Sequence, residues 1–307
     1  MKQKTLIFHV GCSAGFFSEY LEMMAAIVYC KLNNIQFKLY SKDANFGHKN
    51  GWTDFFEPFC EEVTEDFHSK YNLRFKYPSL TRLIIKKILK NKNIPTWCWK
   101  KLSLWYLKVF LTAPYYKTKY QFYYYTHDLW TKIQNNKTKQ LEKYYKEVEI
   151  KAINDTWRLN PSTQKEVDKI IKNLNLPDKF IGTQVRAGDK STEQLTYHFT
   201  DYLNKIDSLQ TNIKDIFILT DDYSIITDIK SQFPQYRIFT LCNENEKGYD
   251  NDIFQNQNKD MKKSKLINLI ASVEILWKSE ILVGAIIANP SLFLYLRQHQ
   301  NSYWLNA

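Results

Sequence analysis

From Phe180 to the C terminus, short apolar runs alternate with helical patterns, and this rhythm restricts the chain to an α/β sheet protein. Phe180 to Val185, Asp215 to Leu219, Tyr236 to Leu241 and Ile281 to Val283 have the length and composition of buried strands. Thr200 to Leu209, Tyr223 to Gln232 and Ser264 to Lys278 fall between them with helical spacing, and Ser291 to Gln298 closes the series as a helix. Such an order predicts parallel strands joined by right-handed crossovers, a Rossmann-type domain. Ahead of it, Asn160-Pro161 reads as N-cap and first residue of a helix running to about Leu174.

The N-terminal half opens in the same way. Lys4 to Val10 reads as a strand, Gly11 to Gly15 as a tight loop, Phe17 to Leu32 as an amphipathic helix and Gln36 to Tyr40 as a second strand. The glycine loop is not a phosphate-binding P-loop, because Phe16-Phe17-Ser18 follows Gly15 where Gly-Lys-Ser/Thr would be needed. A dense aromatic corner, Gly51 to Phe59, comes next and reads as a packed loop. With 307 residues and 44% apolar content, the chain can form two cores. We divide it at 1–155 and 156–307, with a polar helix over Lys139 to Lys151 linking the halves.

The net charge of +11 is concentrated in one place. Between Phe67 and His127 there are 13 Lys or Arg, 16 aromatic residues and no acidic residue. Two helices are expected there, near Thr81 to Leu89 and Lys100 to Leu111. A basic helix of this kind can lie on an anionic membrane face or an anionic acceptor, or can be a solvated face over an ordinary core. Basic residues with interleaved aromatics can also track single-stranded nucleic acid, but no nucleic-acid module accompanies them and no such partner is expected.

Five scattered cysteines without a C-x-x-C pair indicate reduced thiols. The apolar run in Met1 to Val10 is too short for a secretory signal, and no window approaches the roughly 20 apolar residues that span a bilayer. The expected location is cytoplasmic, either free or peripheral at the inner membrane face.

Chemistry is expected at the carboxyl ends of the parallel strands, where α/β sheets meet their ligands. Arg186 to Lys190, Thr220-Asp221-Asp222 and Gly284 to Ser291 lie at three such ends. Arg186 offers a permanently charged fork that matches a pair of phosphate oxygens, although it could simply pair with Asp189. Asp221 and Asp222 could accept hydrogen bonds from a base or ribose, or cap the helix beginning near Tyr223. Together these ends have the make-up of a sugar-nucleotide site. Asp250-Asn251-Asp252 has the D-x-D form of a metal site, but sits in a polar run that reads as a loop.

Gln184-Val185-Arg186-Ala187-Gly188-Asp189-Lys190 resembles the H-x-R-R-x-D-K motif of the α-1,6-fucosyltransferase family. The continuation through Thr192-Glu193, Tyr197-His198-Phe199 and Asp201-Tyr202-Leu203 is similar to that family's segment, one residue shorter. Phe217 to Asp222 resembles its T-D-D strand end. Gly51-Trp52 with Phe56 and Pro58 resembles its G-W-x-x-x-F-x-P, and Gly15-Phe16 opens the first helix as in the family. The resemblance covers Gly15 to Phe59 and Gly182 to Gln298.

It implies a GT-B-like α/β fold of two Rossmann-like domains facing a cleft, the first on the acceptor side and the second binding the nucleotide sugar. It further implies an inverting transfer of fucose from GDP-fucose to a glycan or lipid-linked oligosaccharide, with no cofactor and no metal. Arg186 would hold the β-phosphate, Lys190 would lie near the diphosphate and Glu193 would be the general base. Gln184, Asp189, Thr220, Asp221, Asp222, Asn289 and Ser291 complete the donor side, and Gly15, Phe16, Trp52 and His198 the acceptor side. The family His is Gln184 here and its second Arg is Ala187, so two alternatives stay open: a same-fold transferase with another nucleotide sugar, and a non-catalytic basic surface-binding protein on a decayed scaffold.

Overall fold

β1 (Thr5–His9) pairs in parallel with β2 (Gln36–Tyr40), in register from Thr5 opposite Gln36 to His9 opposite Tyr40. The helix joining them, α1 (Phe16–Leu32), begins one residue before the expected Phe17. Every residue of β1 is buried, its apolar centre Leu6 to Phe8 and its polar ends Thr5 and His9 alike, as in a strand covered on both faces. The computed structural model describes residues 5–10, 15–70, 139–186, 197–249 and 251–306. The chain falls into two compact units, one of Met1–Ala14 with Glu22–Arg158, the other of Gly15–Leu21 with Leu159–Ala307.

In the first unit the aromatic corner is a rigid plug. Gly51 has φ +87, and a Cβ there would lie 2.1 Å from the carbonyl oxygen of Ser41, so only glycine fits. That approach lets the Ser41 hydroxyl accept the Trp52 backbone N–H at 2.8 Å. Trp52, 1% exposed, stacks on Phe56 at 4.3 Å, and Phe56 packs against Trp157 at 5.2 Å. The indole N–H is satisfied by the Glu57 carbonyl at 3.1 Å.

A 3-10 turn, Trp52–Asp54, ends on a carboxylate that accepts four successive backbone N–H groups, from His48, Lys49, Asn50 and Gly51, at 2.7 to 3.0 Å. Partial burial pushes the Asp54 pKa up, and these four donors together outweigh it and hold the carboxyl below its ordinary value. A depressed carboxylate pKa contributes stability that is complete above the unfolded value, about 3.9, and is lost as pH falls through the folded one. Asp54→Asn is expected to lower stability by about 1–3 kcal/mol at neutral pH and to flatten the acid limb of the unfolding curve below about pH 4. Denaturant titrations of both proteins at pH 7 and pH 3 check this; equal losses at both values would refute it.

After α2 (Asp66–Lys70), the next described helix is α3 (Lys139–Thr156). It runs five residues past the predicted Lys151 because Ala152, Ile153 and Thr156 continue its buried stripe. The helices expected near 81–89 and 100–111 lie outside the described residues.

The second unit begins its C-terminal part with α4 (Pro161–Asn173), where the Asn160 side chain accepts the Thr163 N–H at 2.8 Å, as the Asn-Pro pair predicts. Its sheet has five parallel strands in the order β5-β4-β3-β6-β7. These are β3 (Ile181–Gln184), β4 (Asp215–Leu219), β5 (Arg237–Phe239), β6 (Ile281–Gly284) and β7 (Ser302–Trp304). The crossovers are α5 (Phe199–Ser208), α6 (Tyr223–Gln232), α7 (Asn251–Asn256) with α8 (Lys259–Lys278), and α9 (Asn289–Arg297). In order of appearance the strands run 3-2-1-4-5, the Rossmann arrangement, whose switch point lies between β3 and β6.

Three departures from the sequence reading have local causes. α8 starts five residues before Ser264, because Asn258 caps it through the Met261 N–H at 2.8 Å while the first turn is polar. β5 shrinks to three residues. β7 was not predicted: three residues of mixed polarity carry no strand signal, yet Trp304 lies so close to Gly284 that a Cβ there would sit 2.6 Å from its ring. No helix among the described residues is long and apolar enough to cross a membrane.

Candidate active site

The carboxyl ends of β3 and β4 are tied together past the strands themselves. Val185 donates its N–H to the Leu219 carbonyl at 3.0 Å, which keeps the chain extended as it delivers Arg186 to the sheet edge. Arg186 Nη1 donates to Asp221 Oδ2 across this edge, and the two side chains are 18% and 20% exposed. One partner of Arg186 is thus a carboxylate 35 residues away, brought near by the parallel pairing of β3 and β4.

A loop returns over the same edge after β5. Asp222 and Lys247 form an antiparallel bridge, and Tyr223 donates to the Glu246 carbonyl at 2.9 Å. Gly248, at φ +94, turns the chain so that its own N–H reaches the Asp221 carbonyl at 2.7 Å and the Tyr249 N–H reaches Asp221 Oδ2 at 3.0 Å. The Arg186 guanidinium then lies 5.8 Å from the centre of the Tyr249 ring, within cation–π range. The Tyr249 hydroxyl lies close to Gly15, 3.7 Å from where a Cβ there would be, an ordinary contact distance. Tyr249 is the residue the sequence reading missed. Its one signal was a lone glycine just ahead of an aromatic, after the third strand of a Rossmann unit.

Thr220 and Asp222 form a turn, with the Asp222 N–H on Thr220 Oγ1 at 3.3 Å. Asp222 caps α6, its Oδ1 accepting the Ser224 N–H at 2.9 Å and the Ser224 hydroxyl at 2.7 Å. Its Oδ2 has no partner among the described residues. The Cys242 thiol nearby is pushed well up by burial and by Glu246, which makes it a poor nucleophile.

On the other flank of β3, Gln184 Oε1 accepts the hydroxyl of Ser291 at 2.5 Å, and both are buried. Asn289 opens α9 one residue ahead of Pro290. The structure thus gathers Arg186, Asp221, Asp222, Thr220, Gln184, Ser291 and Gly15 around the ends of β3, β4 and β6 and the start of α1.

Other expected site residues are engaged differently. His198 caps α5: its backbone N–H meets Asp201 Oδ2 at 2.8 Å, and its ring Nδ1 meets the Thr200 hydroxyl at 2.9 Å. Phe16 is buried against Phe17 and Tyr20, whose rings in turn meet Phe293 of α9. Trp52 belongs to the core of the first unit. Asp189, Lys190 and Glu193 lie outside the described residues, as does Asp250 of the D-x-D, whose Asn251 and Asp252 begin the helix α7 instead of the expected loop.

The family model for alpha-(1,6)-fucosyltransferase N- and catalytic domains matches residues 121–286, more than half of the chain. No curated protein sequence matches it significantly. Among solved structures, the fucosyltransferase NodZ from Bradyrhizobium superposes with a TM-score of 0.55 at 13% identity, over 96% of this chain and 92% of that one. POFUT1 in complex with GDP-fucose gives 0.51 at 13% identity, over 99% and 98%. FUT1 of Arabidopsis thaliana in complex with GDP gives 0.54 at 11% identity, over 99% and 70%. At these identities the likeness is one of fold, an α/β fold with parallel sheets shared with GT-B fucosyltransferases. With the family model spanning β3 to β6, the chain belongs to the α-(1,6)-fucosyltransferase family and is a glycosyltransferase.

Proposed function

We propose that the chain transfers fucose from GDP-fucose to a hydroxyl group of a glycan or glycolipid acceptor, with inversion and without a metal ion. The observation that carries this reading is Arg186, delivered by β3 beside the switch point of a Rossmann sheet and held by Asp221 and Tyr249. NodZ has been crystallised with GDP and POFUT1 with GDP-fucose, which supports the same class of donor.

As the C1–O bond to the diphosphate breaks, the sugar becomes oxocarbenium-like and the departing oxygen gains charge. A fixed guanidinium at that oxygen stabilises the change much as an oxyanion hole does. Asp221 acts through Arg186 by orienting it, while Asp222 Oδ2 is available to accept from the base or ribose. Lys190 adds charge near the diphosphate. Glu193 takes the proton of the attacking hydroxyl, a step worth about 10²–10⁴ in rate. The reading keeps the enzyme in the cytoplasm, with the basic segment 67–127 meeting the acceptor or the inner membrane face.

Calorimetric titration with GDP, UDP and CMP in the presence of chelator tests the proposal. GDP is expected to bind, and the other two weakly or not at all. Preference for UDP would assign another nucleotide sugar, and no nucleotide binding would return the chain to the decayed-scaffold alternative.

A further inference from the structure

β1 and β2 end on His9 and Tyr40, which stand opposite each other in register. His68 of α2 lies against both. Its ring centre is 5.2 Å from that of His9 and 5.6 Å from that of Tyr40, and those two are 5.4 Å apart. All three side chains are buried, His9 at 4% exposed, Tyr40 and His68 at 0%. The carboxyl edge of parallel strands is where an α/β unit meets its ligands, and here α2 sets an imidazole over it.

The two imidazoles belong to a hydrogen-bonded chain that runs to the surface. His9 Nε2 meets His68 Nδ1 at 3.1 Å, and His68 Nε2 meets Glu65 Oε2 at 2.9 Å. Glu65, just ahead of α2, has a side chain 43% exposed. A carboxylate only accepts, so His68 carries its proton on Nε2, its Nδ1 is the acceptor, and His9 donates from Nε2. Both imidazoles are then neutral. The chain can absorb one further proton: His9 takes it on Nδ1 and passes its Nε2 proton to His68, which becomes an imidazolium against Glu65. It cannot absorb a second, because both facing nitrogens would then carry hydrogen across the same 3.1 Å.

Burial pushes the His68 pKa down, and Glu65 opposes this through its hydrogen bond and its charge. A histidine lowered in this way leaves stability intact above the unfolded value, about 6.5, and removes it as pH falls through the folded one. Among the described residues, the other titratable groups around the cluster are Tyr40, Asp43 and Asp66; burial first, and the two carboxylates after it, raise the Tyr40 pKa. Asp43 also accepts the Ser69 hydroxyl at 3.2 Å, a second tie between α2 and the loop after β2.

We propose that the His9–His68–Glu65 chain is a pH-operated latch that docks α2 on the carboxyl ends of β1 and β2 at neutral pH and releases it in mild acid. Release is local, since α2 has five residues and is too short to persist once its histidine leaves, while β1 and β2 keep their backbone pairing. Acid thereby opens the strand edge that His68 covers. The latch does not depend on the identity of donor or acceptor.

Hydrogen exchange of the full chain at pH 7.5 and pH 5.0, read as protection factors so that the slower chemistry of exchange in acid is removed, tests this in wild type, Glu65→Gln and His68→Phe. In wild type, residues 65–70 are expected to lose protection about tenfold per pH unit for each proton taken up on opening, while β3 and β4 keep theirs. Glu65→Gln keeps an acceptor for His68 but removes the charge that supports the imidazolium, so the loss begins at higher pH. His68→Phe keeps a ring with nothing to titrate, and its protection is expected to be the same at both values. Equal protection of residues 65–70 at the two pH values in wild type would overturn the proposal, as would an unshifted onset in Glu65→Gln or an undiminished acid loss in His68→Phe. Acid loss that extends over α1, β1 and β2 together with α2 would be unfolding of the whole unit and would overturn the latch as well.

Discussion

Arg186→Ala is expected to abolish measurable fucose transfer and to weaken GDP binding in the same variant. The guanidinium lies just past the carboxyl end of β3, next to the switch point, and is paired with Asp221. Loss of one fixed donor at a developing oxyanion costs about 10²–10³ in rate. The loss here belongs at the upper end, because the second Arg of the family motif is Ala187 and supplies no charge. Arg186→Lys keeps the charge but not the fork, so it is expected to recover little. Asp221→Asn separates the two roles, since it leaves the guanidinium in place and removes its carboxylate anchor. An intermediate loss, larger in kcat than in GDP affinity, is expected there if Asp221 acts by orienting Arg186. Initial rates with GDP-fucose and calorimetry with GDP measure all three. Wild-type kinetics in Arg186→Ala would remove the residue from the mechanism, whatever the fold.

The Rossmann half of the fold was legible because burial wrote it into the sequence. β3 and β6 are buried throughout and β4 at its centre, where Ile216 to Ile218 and Ile281 to Val283 read as apolar runs, and Asn160 and Asp222 stand as caps where helices begin. What escaped was structure that depends on partners. β7 is stabilised by pairing with β6 and by Trp304 seated on Gly284, neither of which a three-residue stretch can announce. The first turn of α8 is polar and solvated, so its start depended on the Asn258 cap rather than on periodicity.

The site divides along the same line. That Arg186 and Asp221 both sit at strand ends could be read from position. That they meet each other depends on the register of β3 with β4, and the part played by Tyr249 depends on a loop folding back from beyond β5. The motif residues Gly51, Trp52 and His198 show the reverse case. Their spacing marked them as family residues, but spacing does not distinguish a side chain that touches substrate from one that holds the fold. The structure gives two of them architectural work: Gly51 by close approach to Ser41, and His198 by capping.

Trp52 is the residue on which these two interpretations diverge most, and Trp52→Ala is expected to lower stability by about 3–5 kcal/mol. The indole is 1% exposed, stacked on Phe56, edge-on to Phe59 at 5.4 Å, and hydrogen-bonded through Nε1 to the Glu57 carbonyl. Truncation would leave a large cavity between those rings and an unpaired carbonyl, and Gly51 and Ser41 hold the backbone in place, so the gap cannot easily collapse. Trp52→Phe would keep a ring for Phe56 to stack on and lose only the N–H and part of the volume, so its cost is expected to be less than half as large. A residue that served instead to bind the acceptor would behave in the opposite way, with a melting temperature near wild type and a raised acceptor KM in both variants. Thermal and denaturant unfolding of the two variants, set beside their acceptor KM values, decides between packing and recognition at this position.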